Sequence, residues 1–364
     1  MKVVFSGGGT GGHIYPALAT IDEWSKQDPQ VDFLYIGGER GLEKEIVSGA
    51  GIKFQAVKIK GFVRSISFEN LKTIYLFLTA VRKAKKILKA FQPDVVVGTG
   101  GYVAGPVLYA AQLLKIPTVI HEQNSVIGVT NKFLKRRVSK VGIAFPTAEH
   151  FFKTSKIVGN PRAQQVVSGS LKSNFDLSDL SLLNDLPTVL VFGGSQGAPK
   201  LNKAMVEALP TFNQQEYQII FATGKNRFQQ VQDQIEAAQL KVNSNIKIMP
   251  YIANMQDLMP RVDLVIGRSG ATSLAEQTAL GKPMILIPSP YVTNDHQTKN
   301  AQSMVDAGAA LMIREVDLTG SVLATQVNAL MLDQKRRLQM AQQAKKLGVT
   351  DSADQFINLI KSAL

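Results

Sequence analysis

The chain has no cysteine. That excludes disulfides, thiolate metal sites and a thiol nucleophile, and it fits a reducing compartment. Histidine is scarce: His13, His121, His150 and His296 complete the set, and none stands at metal-ligand spacing from another. No Asp-x-Asp pair occurs, so the usual acidic grip on a metal–diphosphate is missing. The longest apolar run, Ile74 to Val81, falls far short of the roughly 20 residues needed to span a bilayer. Met1-Lys2 leads straight into strand-like Val3-Val4-Phe5, which does not read as a secretory leader. These absences predict a cytoplasmic or peripheral membrane protein that works without a metal or other cofactor.

What is present points to two domains. The chain has 364 residues, 45% hydrophobic and 19% charged, enough for two cores. The net charge of +13 is uneven. Residues 1–160 hold 22 Lys and Arg against 11 Asp and Glu, whereas residues 161–364 hold 19 against 17. A basic half predicts an anionic partner there, either membrane lipid or nucleic acid.

Short apolar runs alternate with helical patterns throughout, the mark of parallel α/β folding. Strands are expected at 3–6, 31–37, 54–59, 94–97, 118–121, 141–144, 156–158, 189–192, 218–222, 246–249, 264–266 and 284–287. The run Gly159-Asn160-Pro161-Arg162 breaks the pattern and reads as the joint. The halves also resemble each other. Asp94-Val95-Val96-Val97-Gly98-Thr99-Gly100-Gly101 parallels Asp263-Leu264-Val265-Ile266-Gly267-Arg268-Ser269-Gly270, and the glycine loops at 7–12 and 193–197 correspond. The expected fold is therefore a pair of Rossmann-like domains, 1–160 and 161–350, facing across a cleft with the glycine loops at the carboxyl ends of the strands.

The motifs carry the chemistry. Gly7-x-Gly9-x-x-Gly12 has the spacing of a dinucleotide fingerprint, but the ribose-binding acid is displaced to Glu39 and His13 follows directly. A phosphate-cradling loop with a histidine suits group transfer better than a redox cofactor. Gly193-Gly194-Ser195-Gln196-Gly197 follows a strand and opens a helix, so Ser195 and Gln196 face the expected cleft. Glu276 lies early in a helix, where it serves either the helix dipole or a ribose. Gln297 and Asn300 read as amides of a polar loop suited to sugar hydroxyls. His121-Glu122-Gln123-Asn124 puts four polar residues at a strand's carboxyl end, a pattern expected of a site. In Leu71 to Phe91, the residues Leu71, Ile74, Leu78, Val81, Leu88 and Phe91 are expected to face the core. Leu76 and Phe77, with Lys83, Lys85, Lys86 and Lys89, are left to contact an anionic bilayer.

Taken together the motifs resemble the MurG family, bacterial N-acetylglucosaminyltransferases of peptidoglycan synthesis. The matching pieces are GGGTGGHIYPALA (7–19), GTGGYVAGP (98–106), HEQN (121–124), GNPR (159–162), VFGGSQGA (191–198), PYI (250–252), RSGATSLAE (268–276) and DHQTKNA (295–301). They cover nearly the whole chain in the family's order. DHQ stands where some members carry RQQ. The resemblance implies a GT-B fold, with a C-terminal helix, 351–364, that returns to the first domain. It also implies UDP-N-acetylglucosamine as donor, held mainly by the second domain. The acceptor would be undecaprenyl-pyrophosphoryl-N-acetylmuramoyl-pentapeptide (lipid I), held mainly by the first.

By the same resemblance, Ile252 would contact uracil through its backbone and Glu276 would hold the ribose. Ser195, Arg162 and the turn Ala271-Thr272, continuing through Ser273, Leu274 and Ala275, would lie along the donor. Gln297 and Asn124 would read the sugar, and Thr10, Gly11 and Gly12 would line the reaction centre. His13 is the first choice for the base and Glu122 the second. The expected location is the cytoplasmic face of the bacterial cell membrane, with cell-wall synthesis or division proteins as further partners and no nucleic acid. Closure of the cleft is expected to be part of catalysis. Two other enzyme or binding readings remain at this point: a transferase acting on another lipid such as diacylglycerol, and a catalytically silent UDP-sugar sensor.

Overall fold

The computed structural model describes residues 1–61, 68–170, 175–194 and 196–364. It divides into two compact units, Met1–Gln165 with Val349–Leu364, and Val166–Gly348.

The first unit runs β1 (Lys2–Gly7), α1 (Gly11–Gln27), β2 (Asp32–Gly38), α2 (Glu43–Gly49), β3 (Lys53–Val57), α3 (Phe68–Phe91), β4 (Val95–Gly100), α4 (Gly101–Leu113), β5 (Thr118–Glu122), α5 (Val129–Leu134), β6 (Lys140–Ile143) and β7 (Lys156–Ile157). Its sheet has the order β3-β2-β1-β4-β5-β6-β7, and every pairing is parallel. Central strands of such a sheet are covered on both faces, which is why they read as unbroken apolar runs. Val3, Val4, Phe5 and Val95 to Val97 are all fully buried. Helix α4 is apolar on most sides because it lies over the strands and beside α3 and α5.

Helix α6 (Arg162–Ser170) leads into the second unit. There follow β8 (Thr188–Phe192), α7 (Pro199–Phe212), β9 (Gln218–Ala222), α8 (Phe228–Ala237), β10 (Ile246–Met249), α9 (Met255–Leu258), β11 (Leu264–Gly267), α10 (Ala271–Ala279), β12 (Met284–Leu286), α11 (His296–Asp306), β13 (Ala310–Met312), α12 (Gly320–Leu332) and α13 (Gln334–Leu347). This sheet, β10-β9-β8-β11-β12-β13, is again all parallel. The final helix, α14 (Ser352–Lys361), belongs to the first unit. Its Phe356, Ile357 and Ile360 share a core with Phe5, Ile14 and Trp24. The Gln164 side chain accepts from Ala353 N and Asp354 N at 2.9 and 3.1 Å, which caps the start of α14.

Several elements differ from the sequence reading. The unit boundary falls at Gln165/Val166, so Arg162 belongs to the first unit. The stretch at 296–306 is a helix rather than a polar loop, and strand β13 completes the second sheet. The apolar and basic stretch after β13 forms two helices rather than one, broken at Asp333, whose carboxylate accepts from Arg336 N at 2.9 Å and starts the second.

In α3 the buried positions are Thr73, Ala80, Val81, Ala84 and Leu88, with Phe77 packed against the same core. Ile74, Tyr75 and Leu78 are exposed. Ile74 and Leu78, expected in the core, are thus exchanged with Phe77, while the side chain of Leu71 lies outside the described residues. Phe77 turns inward because it meets an aromatic cluster, 6.1 Å from the Tyr109 ring and 5.9 Å from Phe133. Leu76 is half-buried.

Candidate active site

The first sheet reverses its winding between β1 and β4, the point at which open parallel sheets bind ligands. Two glycine turns meet there. Gly7 pairs with Gly100, and Gly8 N donates to Gly100 O at 3.3 Å. Gly100 has φ +104°, and a Cβ on it would stand 2.7 Å from His13 Cδ2, so only glycine lets the imidazole lie on this turn. His13 sits in the first turn of α1, and its backbone oxygen accepts from Thr99 Oγ1 at 2.7 Å. Its Nδ1 lies 3.0 Å from Gly8 O and 3.2 Å from Thr10 Oγ1. A carbonyl oxygen can only accept, so Nδ1 carries the proton and the neutral ring keeps its lone pair on Nε2. That is the tautomer a base at Nε2 requires. Thr10 is exposed, and Gly11 and Gly12, half-buried, begin α1.

The His121–Asn124 motif is mostly scaffold. His121 is fully buried, with Nε2 donating to Gly159 O at 2.8 Å and its ring 5.0 Å from Phe356. Burial pushes its pKa down to about 4, partly countered by the Gly159 bond. Glu122 is buried and spends both oxygens locally: Oε1 accepts from Asn124 N at 3.1 Å, and Oε2 from Gly128 N and Asn131 Nδ2, each at 2.8 Å. Burial raises its pKa against those bonds. The geometry makes Glu122 the organiser of loop 122–131 rather than a base. Asn124, half-buried, is held in place by it.

Arg162 stands over the Tyr15 ring at 5.7 Å and donates to Gln165 Oε1 at 2.5 Å. Both Arg162 and Tyr15 line a hollow of about 630 Å³ along α1. The other charges there are already matched, Asp32 with Lys53 at 2.7 Å and Asp22 with Lys26 at 2.8 Å, so nothing assigns this larger hollow to the reaction.

The second sheet reverses between β8 and β11. Beyond those strand ends lies a cavity of about 340 Å³ bordered by Gly193, Gly197, Lys200, Arg268, Ser289 and Gln297. Ser195, in the same loop, lies outside the described residues. Helix α10 starts at Ala271 with no side-chain cap among the described residues, so its first N–H groups are open to an anion. Thr272 Oγ1 is buried with no hydrogen-bond partner among the described residues. Ser273, Ala275 and Glu276 are half-buried, whereas Ala271 and Leu274 turn their side chains into the core; Ala271 can offer its backbone N–H, and Leu274 N donates to Gly270 O at 3.0 Å. Gln297 Oε1 accepts from Ser289 N at 2.9 Å, and its backbone oxygen accepts from Ser269 Oγ at 2.8 Å. Asn300 is buried in α11 and donates to Ser269 O at 3.2 Å, a structural bond. Ile252 is a core residue, and exposed Tyr251 beside it lies under Lys225 Nζ at 4.7 Å.

Sequence reasoning missed three features. Arg268 pairs with buried Glu315 at the cavity and donates to Ile287 O at 3.0 Å. The Tyr102 ring lies against the first glycine loop, where a Cβ on Gly9 would come within 2.8 Å of it. Glu43 is completely buried beneath that loop. Tyr102 and Arg268 stood inside motifs visible in the sequence, whereas the contacts that give them and Glu43 their places join residues distant in sequence.

Among the described residues no group of three or more His, Cys, Asp or Glu is placed to hold a metal ion, and no helix is long and apolar enough to cross a membrane. The family model described as Glycosyltransferase family 28 N-terminal domain matches residues 3–143, and the C-terminal domain model matches 188–356. A Limosilactobacillus fermentum protein named UDP-N-acetylglucosamine--N-acetylmuramyl-(pentapeptide) pyrophosphoryl-undecaprenol N-acetylglucosamine transferase is 53% identical over 100% of this chain and 99% of its own. A Leuconostoc mesenteroides protein of the same name is 52% identical with the same coverage. The crystal structure of Acinetobacter baumannii MurG has a TM-score of 0.80 at 27% identity, covering 99% of both chains. The S. aureus MnaA–UDP structure, at 13% identity and a TM-score of 0.71 over 99% of this chain and 96% of that one, shares the fold. With two GT-B-type parallel-sheet units, both family 28 domains and relatives matched from end to end, the chain belongs to the MurG family of glycosyltransferases.

Proposed function

We propose that the chain is an inverting hexosyltransferase. It moves N-acetylglucosamine from UDP-N-acetylglucosamine to the 4-hydroxyl of undecaprenyl-pyrophosphoryl-N-acetylmuramoyl-pentapeptide, lipid I, and gives lipid II for peptidoglycan synthesis. The observation that carries this reading is full-length identity of 52% and 53% to transferases of that name. The diacylglycerol alternative is not favoured by those names.

The roles divide between the units. The second unit takes the donor: Glu276 accepts the ribose hydroxyls, Ile252 meets uracil through its backbone, and Gln297 reads the sugar. The open N-terminus of α10, with Thr272 and the N–H groups of Ala271 to Ser273, takes the diphosphate. The first unit takes the acceptor, with Thr10, Gly11, Gly12 and Asn124 at the reaction centre and Arg162 as an added cation. The acceptor's 4-oxygen attacks the anomeric carbon from the face opposite UDP, the bond from that carbon to the β-phosphate oxygen breaks, and the hydroxyl proton goes to His13 Nε2. Negative charge grows on the leaving diphosphate, where preorganised N–H dipoles act most strongly.

The test supplies UDP-N-acetylglucosamine and a short-chain lipid I analogue. A β-1,4-linked disaccharide lipid with one UDP per product is expected. Equal turnover with diacylglycerol, or none with the lipid I analogue, would overturn the reading.

We also propose that the first unit rests on the cytoplasmic face of the cell membrane. Ile74, Tyr75 and Leu78 of α3 and Val129 and Phe133 of α5 are exposed, and the Phe77–Phe133 contact joins the two helices. Lys83, Lys85, Lys86 and Lys89 continue along α3, and Lys132, Arg136 and Arg137 stand at α5. Each cation near an anionic surface contributes about 1 kcal/mol. Neutralising the four α3 lysines should weaken binding to phosphatidylglycerol vesicles, most at low salt. Unchanged binding would sink this placement. Contacts with cell-wall synthesis or division proteins are a further expectation of the same reading.

A further inference from the structure

Glu43 begins α2, and its side chain is completely buried. Burying a carboxylate is costly unless its charge is used or paired. Oε1 accepts from Gly9 N at 2.5 Å, while Oε2 is buried with no hydrogen-bond partner among the described residues. The backbone makes way for this group: a Cβ on Gly8 or Gly41 would collide with the carboxylate, and one on Gly37 would come within 3.1 Å of the Glu43 Cβ.

The Gly9 N–H and the Gly8 carbonyl belong to one peptide group. That carbonyl is the oxygen 3.0 Å from His13 Nδ1. A single amide plane therefore carries the Glu43 carboxylate at its N–H end and the His13 imidazole at its C=O end. A charge-assisted bond to the N–H draws electron density toward the carbonyl oxygen, and hydrogen bonds in series strengthen one another in a low-dielectric interior.

We propose that Glu43 is a positioning residue for His13, acting through the Gly8–Gly9 peptide to fix the Nδ1–H tautomer and to raise the basicity of Nε2. Its bearing on turnover rests on His13 being the base, as read above. The titratable groups against Glu43 are Tyr35 of β2 and Tyr102 of α4. Burial, and then Glu43, push both phenols up, so both stay neutral. Among the described residues, the contacts of His13 from another element are with Thr99 and Gly100, and from its own loop with Gly8 and Thr10.

Nitrogen-15 NMR of the full chain, labelled at histidine, reads the tautomer and titration of His13 without reference to turnover. In the wild type the neutral ring should be Nδ1–H, and a mainly Nε2–H ring would overturn the proposal. Glu43→Gln keeps the shape and removes the charge. It should lower the His13 pKa on the order of one unit, since a stabilising negative charge is lost. An unmoved titration would overturn the proposal. The acid limb of kcat/KM should move down by the same amount. If the NMR titration moves and the limb does not, the relay stands and the assignment of His13 as base falls. In a His13→Gln background, Glu43→Gln should cost no further turnover, whereas the same fold-loss in both backgrounds marks a merely structural role. Should Glu43→Gln not fold, the wild-type tautomer and Glu43→Asp, which keeps the charge and should hold the His13 titration near wild type, carry the test.

Discussion

The two sheets end in switch points of the same design, each a strand, a glycine loop and a helix, yet they are furnished differently. The first is filled with side chains: His13 on the turn, Tyr102 against the loop, and Glu43 beneath it. The second, among the described residues, leaves backbone open at Gly270–Ala271 and adds one hydroxyl without a partner, Thr272. Proton handling needs a titratable group with a set tautomer, which only side chains provide. Holding a diphosphate needs fixed dipoles and little else. The charge follows the same division, since the basic excess lies in residues 1–160 and the remainder is close to neutral.

That contrast can be broken most forcefully at His13. Replacing it with Ala should lower turnover about 10²–10⁴-fold while UDP binding stays near wild type, read by steady-state rates beside calorimetry with UDP. Comparable losses in both would mean that the units do not divide the work as argued. The mirror experiment is Glu276→Ala. It should raise KM for UDP-N-acetylglucosamine about 10–100-fold with kcat much less affected, because bonds to a charged group are lost in ground and transition states alike. A fall in kcat at unchanged KM would move Glu276 into the chemical step.

A smaller effect separates scaffold from site within the first unit. His121 has its pKa lowered from 6.5 to about 4 by burial. The unfolded chain therefore takes up a proton below pH 6.5 that the folded chain refuses until about pH 4. Stability is lost as pH falls through that window, by on the order of 3 kcal/mol. Thermal melts of His121→Phe should show a flatter pH slope there than the wild type, and an identical slope would assign the acid lability elsewhere. The smallest effect concerns the diphosphate. With no Asp-x-Asp pair in the chain, turnover should be unchanged by EDTA, and loss that magnesium restores would show that the α10 terminus does not act alone.

Glycine loops after apolar runs made both switch points legible in the sequence, because a parallel strand buried on both faces and a tight turn into a helix each leave a compositional mark. Helix α3 was harder to read. Apolar residues at 74 to 78 occupy nearly every direction around the axis, and only Tyr109 and Phe133, brought from other helices, decide that Phe77 turns in and Ile74 out. The polar run 121–124 looked functional throughout, yet His121 faces Phe356 of α14, a partner more than 200 residues away. Glu43 left no mark at all, since its meaning lies in a peptide group formed by residues 8 and 9.

The docking of α14 has a consequence for the order of assembly. All of the second unit is synthesised before Phe356, Ile357 and Ile360 exist, so it can complete its core while the first is still missing part of its own. The segment made first is therefore finished last. Until α14 arrives, the groove beside Trp24 and Ile14 stays open, and the nascent chain exposes a sticky surface there through most of its synthesis.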